Sequence, residues 1–289
     1  MKKIVSSMIV IAMLAILAAC GGQPAEEESV VQKTAEQYEG FQPETATIKE
    51  AESFQNGGIS VSVADVLYEP VVTKICFNLK NETDADVHVG TANFSINGFM
   101  CMDALFCALP AKSEKTGVLE ISNDWFGKMQ IEVIEDMEFI VKVYDADNNE
   151  IQKSDILHFK TDAPYTYQQK YDDSGVEIYH DNGVKISARY LQKSAHANDM
   201  ELVFYAENNT DSAISVMSYD VTVNDISIEP LFVLTVGAGK KAVDTMLFYE
   251  KDLKQNNIEQ IKAVTARFKA FDETLKTVFD TEPILVPVE

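Results

Sequence analysis

The sequence contains few residues that could support catalysis or metal binding. Only four histidines occur, His88, His158, His180 and His196, and their spacing matches no metal-binding motif. Gly-x-Ser-x-Gly, the phosphate-binding loop and His-Glu-x-x-His are also absent, so no local motif indicates a nucleophile, a nucleotide or a catalytic zinc. We therefore expect no enzymatic activity, no cofactor and no metal. A metal-dependent extracytoplasmic hydrolase assembled from distant residues is the least favoured alternative.

Basic residues are also scarce. The chain has 24 Lys and Arg against 46 Asp and Glu, a formal net charge of −22. Such a field repels nucleic acid and anionic lipid headgroups, so we expect no nucleic-acid partner. The acidity is typical of a soluble surface protein, and attraction of cations or of a basic partner is the alternative interpretation.

Long apolar runs are missing except at the start, where Lys2 and Lys3 precede an apolar stretch from Ile4 to Leu17. This stretch is shorter than the roughly 20 residues of a spanning helix, so residues 1–19 are predicted to be a signal peptide. The tetrapeptide LAAC that ends at Cys20 resembles a bacterial lipobox.

This resemblance implies cleavage before Cys20 and lipidation of its sulfur, whereas the alternative is an ordinary signal peptide with a chance cysteine. Two acyl chains give stable anchoring. We therefore expect a protein that is lipid-anchored to the extracytoplasmic face of the cell membrane, with the membrane as one partner.

The chain is expected to divide into four parts after the signal peptide. Residues 20–52 are rich in Glu, Gln, Ala and Thr and are predicted to be an acidic disordered tether. Residues 53–162 and 175–289 are predicted to be two β-sandwich domains, joined by a linker over residues 163–174. Short helical turns are predicted around residues 123–129 and 250–256.

The division into two domains depends on an internal repeat. The stretch FNLKNETDADVHV from Phe77 is similar to FYAENNTDSAISV from Phe204, 127 residues later, and the offset continues without a gap to Asp145 and Asp272. Identity is low, but the apolar positions alternate in the same way in both stretches. An Asn-Gly pair at the start of each copy, at Asn56 and Asn182, predicts a hairpin.

Short alternating strands separated by turn residues, in copies of about 110 residues, predict an all-β fold of two tandem antiparallel sandwiches. A lipobox, an acidic tether and domains with turns such as KNETD at Lys80–Asp84 resemble surface lipoproteins with immunoglobulin-like domains, which are common in Firmicutes. The resemblance implies an immunoglobulin-like fold and a surface location and little chemistry.

Two acidic stretches could be calcium loops or turns. The second copy has Ala213 in place of Asp86 and Asn209 in place of Glu82, and it retains only Asn-x-Thr-Asp, whose side chains stabilise turns. DADNNE, from Asp145, has Glu150 where a calcium loop needs Gly. We interpret both stretches as turns.

Three cysteines, Cys76, Cys101 and Cys107, align with aliphatic residues in the second copy. We expect them to fill core positions as small apolar residues, with a Cys101–Cys107 disulfide as the main alternative. The apolar run Phe99–Leu109 is predicted to be a buried strand, and an exposed apolar patch is the alternative.

The linker contains Tyr165, Tyr167 and Tyr171, each with a ring and a hydroxyl suited to ligand contact. Packing between the domains is the alternative role. We expect a non-catalytic binding or interaction module whose contact surface includes these tyrosines and whose partner is an envelope protein or polymer. A structural spacer or accessory subunit of an envelope complex is the alternative.

Overall fold

The computed structural model describes residues 29–33, 40–194 and 197–289. The predicted signal peptide and Cys20 lie outside the described residues. In chain order, the elements of the first part are β1 (Val31–Lys33), β2 (Ile48–Ala51), β3 (Ser53–Asn56), β4 (Ile59–Tyr68), β5 (Val72–Asn81), β6 (Val87–Ile96), β7 (Phe99–Met100), β8 (Phe106–Leu109), β9 (Ser113–Ser122), α1 (Asn123–Lys128), β10 (Asp136–Tyr144) and β11 (Glu150–Thr161). The elements that follow are β12 (Val176–Asp181), β13 (Val184–Lys193), β14 (Met200–Asn208), β15 (Ile214–Val223), β16 (Ile226–Ser227), β17 (Val233–Val236), β18 (Lys240–Phe248), α2 (Glu250–Gln255), β19 (Ala263–Asp272), β20 (Thr277–Asp280) and β21 (Ile284–Pro287).

Each copy opens with the predicted hairpin. The first turn is Gly57–Gly58, with φ of 53° and 82°, and the second is Asn182 and Gly183, with φ of 50° and 80°. A two-residue turn of this kind needs left-handed backbone at both positions, which Gly and Asn adopt most readily. The strands that follow alternate as predicted, with Ile59 and Val61 buried on the inner face of β4.

Three sheets build two sandwiches. The first sandwich packs the sheet β3-β4-β5-β9 against β6, β10 and β11, and the second packs β13, β14 and β18 against the sheet that contains β15 and β19. Phe204 lies in the core of the second sandwich, whereas its neighbour Tyr205 lies in the core of the first. The two cores therefore lie on opposite faces of the central sheet. The predicted fold class of two tandem β-sandwiches is confirmed.

The secondary structure of the two copies matches residue by residue over part of the repeat. Strands β6, β7 and β8 and helix α1 recur as β15, β16, β17 and α2 with bounds shifted by 127 residues. The two predicted helical turns are thus confirmed. Each helix has six residues, and no helix in the described part of the chain is both long and apolar enough to cross a bilayer.

The two sandwiches share one sheet of eleven strands, in which β7 of the first domain pairs in parallel with β18 of the second. The Lys241 N–H donates to the Gly98 carbonyl at 2.9 Å. Ion pairs cross the same junction, between Lys240 and Glu138 and between Lys128 and Glu201. Because hydrogen bonds and charges cross the boundary, we expect the domains to move as one body.

The prediction of a disordered tether over residues 20–52 is wrong for the part that the structure describes. β1 pairs in parallel with β13, and Val30 is fully buried in the core of the second domain. β2 then pairs with β11 of the first domain. Short strands of this kind complete the edge of an existing sheet and need few apolar residues of their own, so composition does not reveal them.

The prediction of one buried strand over Phe99–Leu109 is also wrong in its middle. β7 ends at Met100 and β8 begins only at Phe106, so the chain loops out between them. The side chains of Met102 and Phe106 are 72% and 60% exposed, whereas Cys101 and Leu105 are buried. The run is therefore divided between the core and the surface.

Candidate binding sites near the domain junction

The Asn-x-Thr-Asp segments are turns built around a buried asparagine. The Asn81 amide nitrogen donates to the carbonyls of Ala85, Leu109 and Pro110 at 2.8 to 3.1 Å. Its side-chain oxygen accepts from the Thr83 N–H at 2.9 Å. Asn208 makes the equivalent bonds, to Ser212, Val236 and Gly237 and from Thr210. These side chains hold a turn, as predicted.

The DADNNE segment is a turn as well. One carboxylate oxygen of Asp145 accepts from the backbone N–H groups of Asp147 and Asn149, both at 2.9 Å. Hydrogen bonds from Asn149 lower the pKa of Asp145. Asp272 makes the equivalent contacts in the second domain. Within residues 29–33, 40–194 and 197–289, no group of three His, Cys, Asp or Glu side chains could hold a metal ion.

The cysteines of the first domain are free thiols. Cys76 and Cys101 are buried, and Cys107 is half-buried. Burial raises the pKa of the Cys101 thiol to about 12. Cys101 therefore lies in the core of the first domain as predicted, Cys76 is buried outside that cluster, and Cys107 packs at its margin.

Tyr171, one of the three linker tyrosines, lies in the domain junction. Its ring stacks on Tyr205 with centroids 4.9 Å apart and packs against Phe99 at 5.4 Å. The Arg189 guanidinium lies 5.0 Å from the centre of the Tyr171 ring and pairs with Asp172 at 3.0 Å. Tyr171 therefore packs the two domains together, which is the alternative role considered for these residues.

The other two tyrosines point away from the junction core. The side chain of Tyr165 is almost fully exposed, at 99%. The Tyr167 hydroxyl donates to the Gln169 side-chain oxygen at 2.5 Å, and the Gln169 amide nitrogen donates to the Gln130 carbonyl at 3.0 Å. The Asn97 side chain donates to the same Gln169 oxygen. Gln169 therefore fixes the linker to the end of the first domain.

Beside this segment lies a cleft of about 640 Å³. Its walls include the rings of Phe41 and Tyr167, the amides of Gln130 and Gln168, and the charged groups of Glu132 and Lys170. The structure thus separates the three tyrosines: Tyr167 lines the cleft, Tyr165 extends from the same linker segment, and Tyr171 does not take part.

A second groove, of about 180 Å³, lies on the domain boundary. Residues of the loop after β7 and of α1 form one wall, and residues of β18 form the other. The side chains on its walls include Met102, Trp125, Lys128 and Met129 from the first domain and Val243 and Asp244 from the second.

Sequence reasoning considered Met100, Met102 and Asp103 only as part of the apolar run Phe99–Leu109, and it did not select Trp125 or Asp244. At the repeat offset, Trp125 corresponds to Asp252, and Asp244 corresponds to Gly117. Both positions depart sharply from the repeat, whereas the turn residues keep it. Such differences between the two copies are the signal that could have identified the groove.

Comparison with known proteins gives no family. No protein-family model matches the chain, and no curated protein matches it. Among solved structures, the chain is similar to a protein of unknown function from Porphyromonas gingivalis W83, with 12% identity over 81% of this chain and 100% of that one, at a TM-score of 0.22.

Two further solved structures are similar to the chain. One is red sea bream transglutaminase. The match has 8% sequence identity, covers 81% of this chain and 32% of that chain, and has a TM-score of 0.23. The other is the Salmonella enterica SafA pilin in complex with the SafB chaperone. This match has 11% sequence identity, covers 74% of this chain and 88% of that chain, and has a TM-score of 0.19. At such TM-scores, none of these similarities supports an argument about function.

Proposed function

We propose that this chain is a lipid-anchored extracytoplasmic protein that acts as a non-catalytic binding module at the cell surface. The anchor is the diacylglyceryl group implied at Cys20 by the lipobox. The proposed contact surface is the cleft beside Tyr167, together with the exposed Tyr165.

The observation that carries this proposal is the arrangement of the linker at the cleft. Hydrogen bonds from the Gln169 amide nitrogen to the carbonyls of Met129 and Gln130, at 3.3 and 3.0 Å, hold the segment that presents both tyrosines against the first domain. A contact surface fixed before binding loses less conformational entropy when the ligand arrives. Pre-organisation of exposed aromatic residues is more useful to a binding protein than to a passive spacer.

The chemistry of the cleft suits a polar ligand with flat faces. The Phe41 and Tyr167 rings offer apolar stacking surfaces, and the Gln130 and Gln168 amides offer both donors and acceptors. An envelope polymer with sugar rings has this combination of properties, and an envelope protein is the other partner class. We favour the polymer because the cleft pairs rings with amides.

The test is co-sedimentation of the soluble chain from Gly21 onward with isolated cell-wall polymer. This chain keeps residues 29–33 and 40–52, which belong to the fold. Tyr165→Ala and Tyr167→Ala should each weaken binding, whereas Tyr219→Ala, a half-exposed tyrosine of the second domain, should leave it unchanged. Equal binding by all four proteins would refute the assignment of the cleft.

A structural spacer is the second candidate function. It is favoured by the eleven-stranded sheet, which joins the two domains into one stiff unit. If the chain is a spacer, we expect no saturable binding of a ligand. We also expect its function to depend on the distance between its two ends. The anchor itself is tested by Cys20→Ala, which should release the protein from the membrane fraction in either case.

A further inference from the structure

The groove on the domain boundary contains two carboxylates on opposite walls. Asp103 follows β7 in the first domain, and Asp244 lies in β18 of the second. Burial raises the pKa of both groups. Asp244 is half-buried, so its carboxylate is partly removed from water without full compensation for its charge, whereas Asp103 is more exposed.

Neither carboxylate has a cation within ion-pair distance among the described residues. Lys128 also lines the groove, but its ammonium pairs with Asp124 at 3.2 Å and with Glu201 at 3.5 Å. Asp244 accepts a hydrogen bond from the Thr245 backbone at 2.7 Å, and Asp103 accepts only a weak one from the Cys101 thiol at 3.9 Å. Lys128 lowers the pKa of Asp244, but this effect is smaller than that of burial.

Apart from Lys128, Thr235 and Thr245, the other residues that line the groove are apolar, and several of them are polarisable. The Trp125 indole is held edge-on against Phe126, with ring centroids 5.0 Å apart, and forms part of the wall. The thioethers of Met100, Met102 and Met129 complete it. An aromatic face attracts a cation through its quadrupole, and methylated ammonium groups are recognised in this way because their charge is carried by an apolar surface.

We propose that this groove binds a small organic cation with a methylated ammonium group, held between the Trp125 ring and the carboxylates of Asp103 and Asp244. The volume, about 180 Å³, is below the roughly 300–1,000 Å³ of sites for drug-sized ligands, so the cation has only a few heavy atoms. The net charge of −22 draws such cations toward the protein. Sites of this kind commonly lie at domain boundaries.

This site is distinct from the contact surface of the proposed function. The cleft uses Gly127 and Gln130 near the end of α1, whereas the groove uses Trp125, Lys128 and Met129 of the same region. The two proposals are tested by different ligands and different variants, so either can fail alone.

Trp125 is the only tryptophan of the chain, so its fluorescence reports directly on the groove. The purified full chain is titrated with tetramethylammonium and with choline at constant ionic strength. The neutral control is 3,3-dimethylbutan-1-ol, which has the shape of choline without its charge. We expect a saturable change with both cations and none with the alcohol at the same concentration.

Asp244→Asn and Asp103→Asn should each weaken binding at least about tenfold, the equivalent of about 1.4 kcal/mol. Asp147→Asn, which removes one exposed charge from the β10–β11 turn, should leave binding unchanged. Calorimetry on Trp125→Phe should show binding weakened by about two- to fivefold, because a smaller ring retains part of the attraction.

Three results would overturn the proposal. The first is an equal response to choline and to its neutral analogue, because then the charge is not recognised. The second is an equal loss of affinity in Asp147→Asn and Asp244→Asn, because then the cation responds only to net charge. The third is the absence of saturation with either cation below roughly 10 mM, a concentration at which a specific site should be filled.

Discussion

Replacement of Asn208 by alanine should destabilise the fold by about 3 kcal/mol. The side chain is fully buried and makes five hydrogen-bond contacts, three through its amide nitrogen and two through its oxygen. Because the amide nitrogen has only two hydrogens, these contacts amount to four full bonds, and at about 0.5–1.5 kcal/mol net each they give a range of roughly 2–6 kcal/mol. The lower part of that range applies because Thr210 is only half-buried and Ser212 is exposed, so water can reach this side of the turn and replace some of the bonds.

The assay is urea denaturation followed by circular dichroism. Asn81→Ala provides an internal replicate, since Asn81 is equally buried and makes the same five contacts in the first domain. Asn209→Ala is the matched control, because that side chain is exposed and donates only to Glu207. A cost for Asn208→Ala below about 1 kcal/mol, or equal to that for Asn209→Ala, would refute the role assigned to the buried asparagine.

The same variant tests whether the shared sheet makes the domains one cooperative unit. Trp125 belongs to the first domain and lines the boundary groove, so its fluorescence stays unchanged only while that domain and the groove remain folded, whereas Asn208 lies in the second domain. If β7 and β18 couple the domains, Asn208→Ala should move the fluorescence midpoint and the dichroism midpoint together. A fluorescence midpoint that stays at the wild-type urea concentration would show that the domains unfold independently.

Three further predictions concern the edge strand, the thiols and a buried carboxylate. A chain that begins at Gly40 should be less stable by about 2–4 kcal/mol than one that begins at Gly21, because it lacks Val30 and the hydrogen bonds of β1; equal urea midpoints would contradict this. At pH 8 a maleimide should modify Cys107 well before Cys101, because burial raises the pKa of the Cys101 thiol to about 12 and only the thiolate reacts. Peptide mapping that finds Cys101 modified first would contradict this prediction. Asp244→Asn should raise Tm at pH 7, because burial raises the pKa of Asp244 and its ionised form therefore costs stability. This difference should shrink on acidification toward pH 4, as the wild-type carboxyl becomes protonated through its raised pKa; a lower Tm for the variant at pH 7 would contradict the reasoning.

The features that sequence reasoning predicted well are local ones. The hairpins at Gly57 and Asn182, the two short helices and the bonds from Asn81 and Asn208 to Thr83 and Thr210 depend on residues close together in the sequence. The bonds that bury the two asparagines reach carbonyls 28 and 29 residues away, and sequence reasoning did not predict them. The repeat strengthened these predictions, because a turn residue retained at the same offset must satisfy the same geometry twice. Alternation of apolar residues then sufficed to define the inner faces and the fold class.

The features that it missed depend on contacts between distant residues. β1 pairs with a strand about 160 residues away, and β7 joins β18 through a single residue pair, so no periodicity marks either contact. The three linker tyrosines illustrate the same limit. Tyrosine side chains in a linker indicate possible contact residues. Tyr171 packs internally because Tyr205 of the second domain lies against its ring, and the linker sequence does not reveal that contact.

The pairing of β1 also brings the two ends of the described chain side by side. The Val30 N–H donates to the Pro287 carbonyl at 2.9 Å, and the Glu289 N–H donates to the Val30 carbonyl at 3.0 Å. A fluorescent protein or affinity tag fused after Glu289 would therefore emerge next to the segment that leads back to Cys20. The β10–β11 hairpin at Asp147 and Asn148 is a better insertion point, because a label there would leave this closure intact.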